Sequence, residues 1–354
     1  MGSEGGAPEV VVEALGVAVG IPVSGSAAAR LRHQWSRSLT DRAATTVVDV
    51  GQVDSGDDAA HDYAITTRVT LAALDATAGR RINLHAGAVA DEHGRTLAVI
   101  GPSGSGKTTA ISLLAGRLGY LSDETVSLDE ELRVHAHPKP LSIVTDIEAP
   151  RSKQSLSPDD LGLGRPPERT HLHRIVLLRR GQGDAGLVPV PTPRAIVEMV
   201  EQTSSLVRLE HPVHRLAAAI DACGGVWGLE YAEFGDRLDD MVALLDGEPQ
   251  DLAQHRHHPW SPGATGDPVV GAWSRAPWTD AEEYDDELVL MVGDRVHALA
   301  GLGVVIWLAL ESPRTADELV SEARARWGEH PEAAGLVADA LAVMAEQHMV
   351  QPPA

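Results

Sequence analysis

The sequence predicts an α/β protein that carries a small α+β winged-helix module at its C-terminal end, and three stretches predict it. A short apolar run, Thr96 to Ile100, enters a glycine-rich loop and leaves it as an amphipathic helix from Thr109 to Ala115, the strand–loop–helix order of α/β sheets. Far downstream, Leu288 to Met291 and Arg295 to Leu299 alternate around Gly293-Asp294, the chemistry of a hairpin turn, and three helical patterns follow. Between these regions Gly247 to Ala281 holds five prolines, several glycines, His255, His257, His258, Trp260, Trp273 and Trp278. The expected organisation is a small α/β lead-in over 1–80, a loop-bearing domain over 81–247, a linker over 248–283 and the terminal module over 284–351.

Bulk composition narrows the function. At 354 residues and 43% hydrophobic content the chain is long enough for two cores. A formal net charge of −22 argues against general binding to DNA or RNA, because counterion release needs a basic face. Cys223 is the only cysteine, so no intramolecular disulfide framework and no cysteine-cluster zinc site can form, and the residue reads as a small buried side chain. The N-terminal stretch lacks a basic segment followed by an apolar core, and no run reaches the roughly 18 apolar residues of a spanning helix. A cytoplasmic protein without membrane partners is expected.

The lead-in divides into a β-like run from Glu9 to Val23, a helical pattern from Ala27 to Leu39, an exposed polar turn from Asp49 to Asp62 and a second helical pattern from Ile65 to Ala78. Asn83 to Ala90 reads as a strand, and Asp91 to Gly94 as the hairpin turn before the loop strand. Gly101, Pro102, Ser103, Gly104, Ser105, Gly106, Lys107 and Thr108 then satisfy G-x-x-x-x-G-K-S/T in full, with Thr109 following. Glycines there let successive amides point inward at phosphate oxygens, and the helix that follows adds its positive end. Lys107 is placed to reach the terminal phosphates of ATP, and Thr108 to set a hydroxyl on Mg²⁺. Next, Gly119 to Leu128 reads as a strand interrupted by Asp123 and Glu124. A carboxylate at a strand end beside such a loop can hold Mg²⁺ or accept the proton of an attacking hydroxyl.

The order of these parts resembles the HPr kinase/phosphorylase superfamily, bacterial serine kinases that phosphorylate a carrier protein. His85 in Asn83-Leu-His-Ala-Gly-Ala-Val89 looks like that family's segment before the loop strand; Gly101 to Thr109 matches its phosphate loop; and Gly119 to Glu124 stands where it has a strand ending in acids. The resemblance implies that Asp123 is the catalytic carboxylate, that Glu124 helps toward Mg²⁺ and that His85 sits near the phosphates. Glu124 replaces the family's second Asp, and the family's downstream E-I-R-G-x-G segment is absent, with His137-Pro-Lys-Pro-Leu141 in its approximate place and Lys139 a further phosphate contact.

From Arg151 to Arg180 seven basic residues face three acidic ones, the one basic island of the chain, and its Pro, Ser and Gly content reads either as a mobile loop closing on ATP or an acidic peptide or as a solvated insertion. Helices are expected at Thr192 to Val200, His211 to Ala222 and Phe234 to Leu245, and strands at Ile175 to Leu178 and Trp227 to Tyr231. His255, His257 and His258 read as a solvated tract, and the nearby tryptophans as anchors docking the linker on a flanking domain.

In the terminal module Leu302 to Leu310 is helical, Thr315 to Glu318 forms a capping box opening a helix through Trp327, and Pro331 starts a helix to His348. Leu336, Val337, Leu341, Met344 and His348 fall on one helical face and read as core. Val296 to Trp307, Ser312 to Thr315 and the last helix together resemble the PqqD-like domain, the leader-peptide recognition element of ribosomal peptide biosynthesis. That resemblance implies capture of a precursor leader peptide by strand addition at a sheet edge. Four arginines against fifteen acidic residues over 280–354 oppose a DNA-binding winged helix. The combined expectation is a peptide kinase using ATP and Mg²⁺ or, alternatively, a recognition scaffold that binds nucleotide and presents the precursor to other peptide-modifying enzymes; a second copy of the chain is allowed as a partner.

Overall fold

A computed structural model describes residues 8–51, 58–144, 153–181, 183, 185–262, 265 and 269–353. The protein is mixed α/β and divides into two compact units, one of Met1–Val190, Gln202–Leu209 and Ala222–Gln250, the other of Pro191–Glu201, Glu210–Asp221 and Asp251–Ala354. Two helical segments from within the 81–247 span therefore group with the C-terminal residues. Among the described residues no helix is long and apolar enough to cross a membrane.

The first unit is built on a six-stranded sheet in the order Gly186–Val190, Val226–Tyr231, His171–Arg180, Arg95–Ile100, Ala86–Ala90, Gly119–Ser122. Arg95–Ile100 runs parallel to His171–Arg180, with Ala98 opposite Ile175, and antiparallel to Ala86–Ala90. Its near-continuous apolar run suits a strand covered on both faces, and Thr96 to Ile100 are all fully buried. Asp91 closes the preceding turn by accepting from the amides of His93 and Arg95, while Gly94 takes φ +81.

A second sheet, Thr203–Ser204, Ile82–Leu84, Val126–Leu128, Val134–His135, lies in the same unit. The expected Asn83 to Ala90 strand is thus two strands in two sheets, broken at His85. The Gly119 to Leu128 strand is also broken, at Asp123 to Thr125. Both breaks lie where the chain passes from one sheet to the other, and the Ala86 amide donates to the Glu124 carbonyl at 3.1 Å to tie them together.

The lead-in forms a three-stranded sheet of Val10–Ala14, Val17–Ile21 and Thr46–Val47 with helices Gly25–Gln34 and Asp58–Thr77, around a core containing Trp35, Leu31, Ile65 and Val69. Asp58 to Asp62 do not belong to an exposed turn: they open the second helix, and buried Asp62 takes Arg30 at 2.8 Å and Gln34 at 2.8 Å. The earlier part of that turn, 52–57, lies outside the described residues.

The basic island is not one loop. Arg174, Arg179 and Arg180 lie in the ten-residue strand His171–Arg180, and buried Arg174 donates to the carbonyls of Leu244, His173, Cys223 and Gly247. Alternation places Arg174 among apolar neighbours, where its fan of donors meets backbone carbonyls. Arg151 lies outside the described residues. Cys223 is buried, and burial pushes its thiol up to about 12, so it is inert at neutral pH.

In the second unit a four-stranded antiparallel sheet, His255–His257, Asp280–Tyr284, Glu287–Val292, Arg295–Ala300, is followed by helices Leu302–Ala309, Ala316–Trp327 and Ala333–Glu346. The hairpin register pairs Val292 with Arg295 across Gly293-Asp294. Thr315 and Glu318 complete the capping box in both directions. Val337, Leu341 and Met344 are core, but Leu336 is 49% exposed and His348 is exposed as well, so the last helix turns a further apolar face outward.

The stretch expected to be a linker is largely structured. Ser274–Arg275 pairs with Val350–Gln351, and the Arg275 guanidinium lies 3.7 Å from the centroid of the fully buried Trp307 ring. Trp278 joins the same core, whereas Trp260 is exposed. His255 and His257 are not a solvated tract; they form a strand on the Asp280–Tyr284 edge, drawn there by carboxylates the composition does not reveal.

Candidate functional site

The glycine loop follows the central strand of the six-stranded sheet. Gly104 and Gly106 take φ +83 and +91, conformations closed to most side chains, and a Cβ on Gly104 would meet nothing within 4 Å. Gly106 is packed differently: a Cβ there would lie 2.5 Å from the Tyr231 hydroxyl, which donates to the Ser105 carbonyl at 2.5 Å. Ser103, Gly104, Thr108 and Thr109 are exposed, while Gly101, Ser105 and Lys107 are buried. The Lys107 ammonium folds back on its own loop, donating to the carbonyls of Gly101 at 2.6 Å and Pro102 at 3.1 Å. Burial lowers its pKa, with Glu124 opposing. Ser105 Oγ is buried without a hydrogen-bond partner among the described residues. Helix Lys107–Leu114 begins directly from Gly106.

The two sheet breaks bring His85, Asp123 and Glu124 beside this loop. Ser122 Oγ accepts from the amides of Glu124 at 3.2 Å and Thr125 at 3.0 Å, which bends the chain so that both acids leave the strand end together. Tyr120 donates to Asp123 at 3.0 Å. His85 is half-buried; desolvation first and the Lys107 charge second lower its pKa, against Glu124 and Asp123, so it is neutral at pH 7. Lys107, His85, Asp123 and Glu124 are thus electrostatic neighbours, although they come from three segments.

Lys139 joins this group in a way its sequence does not announce. Nearly buried, it pairs with Asp123 at 3.3 Å and Glu124 at 3.2 Å; burial alone would lower its pKa, but the two acids outweigh that and raise it. It stands there as counter-ion for both carboxylates. His137, two residues earlier, is fully buried, hydrogen-bonded to Thr70 Oγ1 at 2.9 Å, and held down to about 3 by burial and then by Lys139. Beside these groups a cavity of about 150 Å³ is lined by His85, Glu124, Lys139, Thr66 and Thr70. Tyr231, Tyr120 and the pairing of Lys139 carry no sequence motif. Only the His-Pro-Lys-Pro spacing hinted at the last.

Donor chemistry supports both expected ligands. Paired positive-φ glycines, an open position at Gly104, an orphaned Ser105 hydroxyl and a lysine resting on carbonyls make a cradle suited to phosphate oxygens. Thr108 offers a hydroxyl and Asp123 and Glu124 carboxylates, oxygen donors of the kind Mg²⁺ takes.

In the second unit the Arg295–Ala300 strand lies at a sheet edge with no strand beyond it among the described residues, whereas the opposite edge is covered by His255–His257. Val296, Ala298 and Ala300 are at least partly exposed along the open edge. A cleft of about 690 Å³ is lined by residues of the Leu302–Ala309 and Ala316–Trp327 helices, among them Val304, Leu308 and Trp327, together with Glu283, Asp286 and Glu311.

No family model matches the chain. Over 77 residues it is 36% identical to the thiamine import ATP-binding protein ThiQ of Aliivibrio fischeri, a likeness covering 22% of this chain and 32% of that protein. The chain therefore spans about a third of the length of the curated relative it matches.

Proposed function

We propose that the chain binds ATP with Mg²⁺ at the Gly101–Thr108 loop and transfers the γ-phosphoryl group to a Ser or Thr hydroxyl of a precursor peptide held by its C-terminal module. The observation that carries this reading is the convergence of Lys107, Asp123, Glu124 and His85 where two strands cross between sheets. The ATP-binding name of the Aliivibrio protein agrees with it. The loop amides, Lys107 and Thr109 would hold the phosphates; Thr108, Asp123 and Glu124 would hold Mg²⁺, which neutralises phosphate charge when bound. Asp123 takes the hydroxyl proton as the substrate oxygen bonds to the γ-phosphorus and the bond to the β,γ-bridging oxygen breaks, releasing ADP. His85, neutral, offers a hydrogen bond rather than a charge at the phosphates. Its fold and role would be HPr-kinase-like, and the hairpin with three helices would serve as the PqqD-like element, pairing the leader with the open Arg295–Ala300 edge. Capture on the same chain raises the effective peptide concentration at the transfer site. The setting would be the cytoplasm.

A specific observation favours a second reading, in which the domain binds nucleotide and presents the precursor to other modifying enzymes without transfer: Lys139 already occupies both carboxylates. Incubation with γ-labelled ATP, Mg²⁺ and the precursor encoded beside the gene separates the two. The kinase reading expects one phosphate added to the peptide, lost in Lys107→Ala and Asp123→Asn. Leader binding with no phosphate gained under any condition would establish the scaffold instead.

A further inference from the structure

Away from the glycine loop, two buried carboxylates are paired with histidines. Asp280 and Glu282 are 0% exposed and, two residues apart in one strand, face the same side of the sheet, while Ala281 between them enters the hydrophobic core. Every ion pair they make among the described residues is to histidine. His257 Nε2 lies 2.6 Å and His211 Nδ1 3.9 Å from Asp280 Oδ1; His214 Nδ1 lies 2.5 Å from Glu282 Oε1. The rings crowd together as well, His214 stacked on His257 with centroids 4.1 Å apart and His211 edge-on to it at 4.9 Å. Burying carboxylates is costly unless they are paired or hold a metal ion.

We propose that this cluster is a divalent transition-metal site of the zinc class, with His257 as the shared ligand. In two sets, His211–His257–Asp280 and His214–His257–Glu282, the three donor atoms lie within 4.8 Å of one another. Imidazole nitrogens with a carboxylate oxygen are donors that zinc takes, at about 2.0–2.2 Å. Outer partners already orient the ligands. The His214 amide donates to Asp280 Oδ2 at 2.9 Å, and His255 bridges Glu282 Oε2 at 2.6 Å to Asp221 at 2.7 Å. The buried Tyr284 hydroxyl, on the same strand face as Glu282, has no hydrogen-bond partner among the described residues. The ion would join three stretches distant in sequence, around 211–214, 255–257 and 280–282. It thereby fastens the His255–His257 strand over one sheet edge and leaves Arg295–Ala300 as the open one.

Tag-free full-length protein stripped with chelator and titrated with Co²⁺ tests this directly, with zinc content by mass spectrometry after dialysis against Zn²⁺. The proposal expects one equivalent per chain, visible ligand-field bands, and a raised thermal midpoint with Zn²⁺. His257→Ala and the double variant His211→Ala/His214→Ala should each weaken binding at least about tenfold, whereas His330→Ala, an exposed histidine outside the cluster, leaves it unchanged. Circular dichroism confirms that each variant is folded. Absence of stoichiometric uptake by the unaltered protein overturns the proposal whatever the variants do, as does equal affinity in folded His257→Ala.

Discussion

The glycine loop and the histidine–carboxylate cluster are opposite solutions to holding charge. Around the loop, charges are already balanced by protein: Lys107 rests on carbonyls and Lys139 neutralises Asp123 and Glu124. At the cluster, the ion pairs of Asp280 and Glu282 among the described residues are all to imidazoles. A site balanced by its own lysines can release them to an incoming ligand and recover them afterwards, which suits turnover. One whose buried carboxylates are paired with side chains that can themselves bind metal suits permanent occupation.

That contrast can be broken by single changes, the largest first. Asp123→Asn should cut phosphoryl transfer by about a thousandfold, the scale of losing a general base, while leaving the ligand-field bands of Co²⁺ at the histidine cluster unchanged; steady-state transfer assays and the cobalt titration together check both halves. His137→Gln should flatten the acid side of the stability curve. In the native protein His137 stays unprotonated to about pH 3, but unfolded it binds a proton near 6.5, so stability falls as pH drops through that window by up to about 1.4 kcal/mol per unit. Urea denaturation at pH 7 and 4.5 should show a loss of a few kcal/mol that the variant lacks. Gly106→Ala forces a side chain into φ +91 against the Tyr231 hydroxyl and should cost about 2 kcal/mol, read as a lower denaturation midpoint of the first unit. Thr315→Ala removes a capping box confined to the second unit and should cost about 1 kcal/mol without altering nucleotide affinity.

What could be read from sequence was what the chain encodes locally. The Asp91–Gly94 and Gly293-Asp294 turns, the Thr315 cap and the strand–loop–helix around Lys107 each depend on residues within a few positions, and each is found. The break at His85 was not legible, because alternation continues across it and only pairing with Val126–Leu128 shows that the strand has changed sheets. Nor was the histidine cluster. His257 and Glu282 become cross-strand partners, and the stretch between them, rich in proline and glycine, looks like a tether. The basic island misled for a related reason: charge summed over thirty positions does not reveal that Arg174 points into carbonyls.

Nucleotide binding by the glycine loop is the step on which the proposed chemistry depends. Calorimetric titration of the full chain with a non-hydrolysable ATP analogue and Mg²⁺ should give one site, and Lys107→Ala should weaken it by about ten- to a hundredfold, the worth of a charge-assisted contact to phosphate. No heat of binding in the unaltered protein, or the same affinity in both, would contradict it.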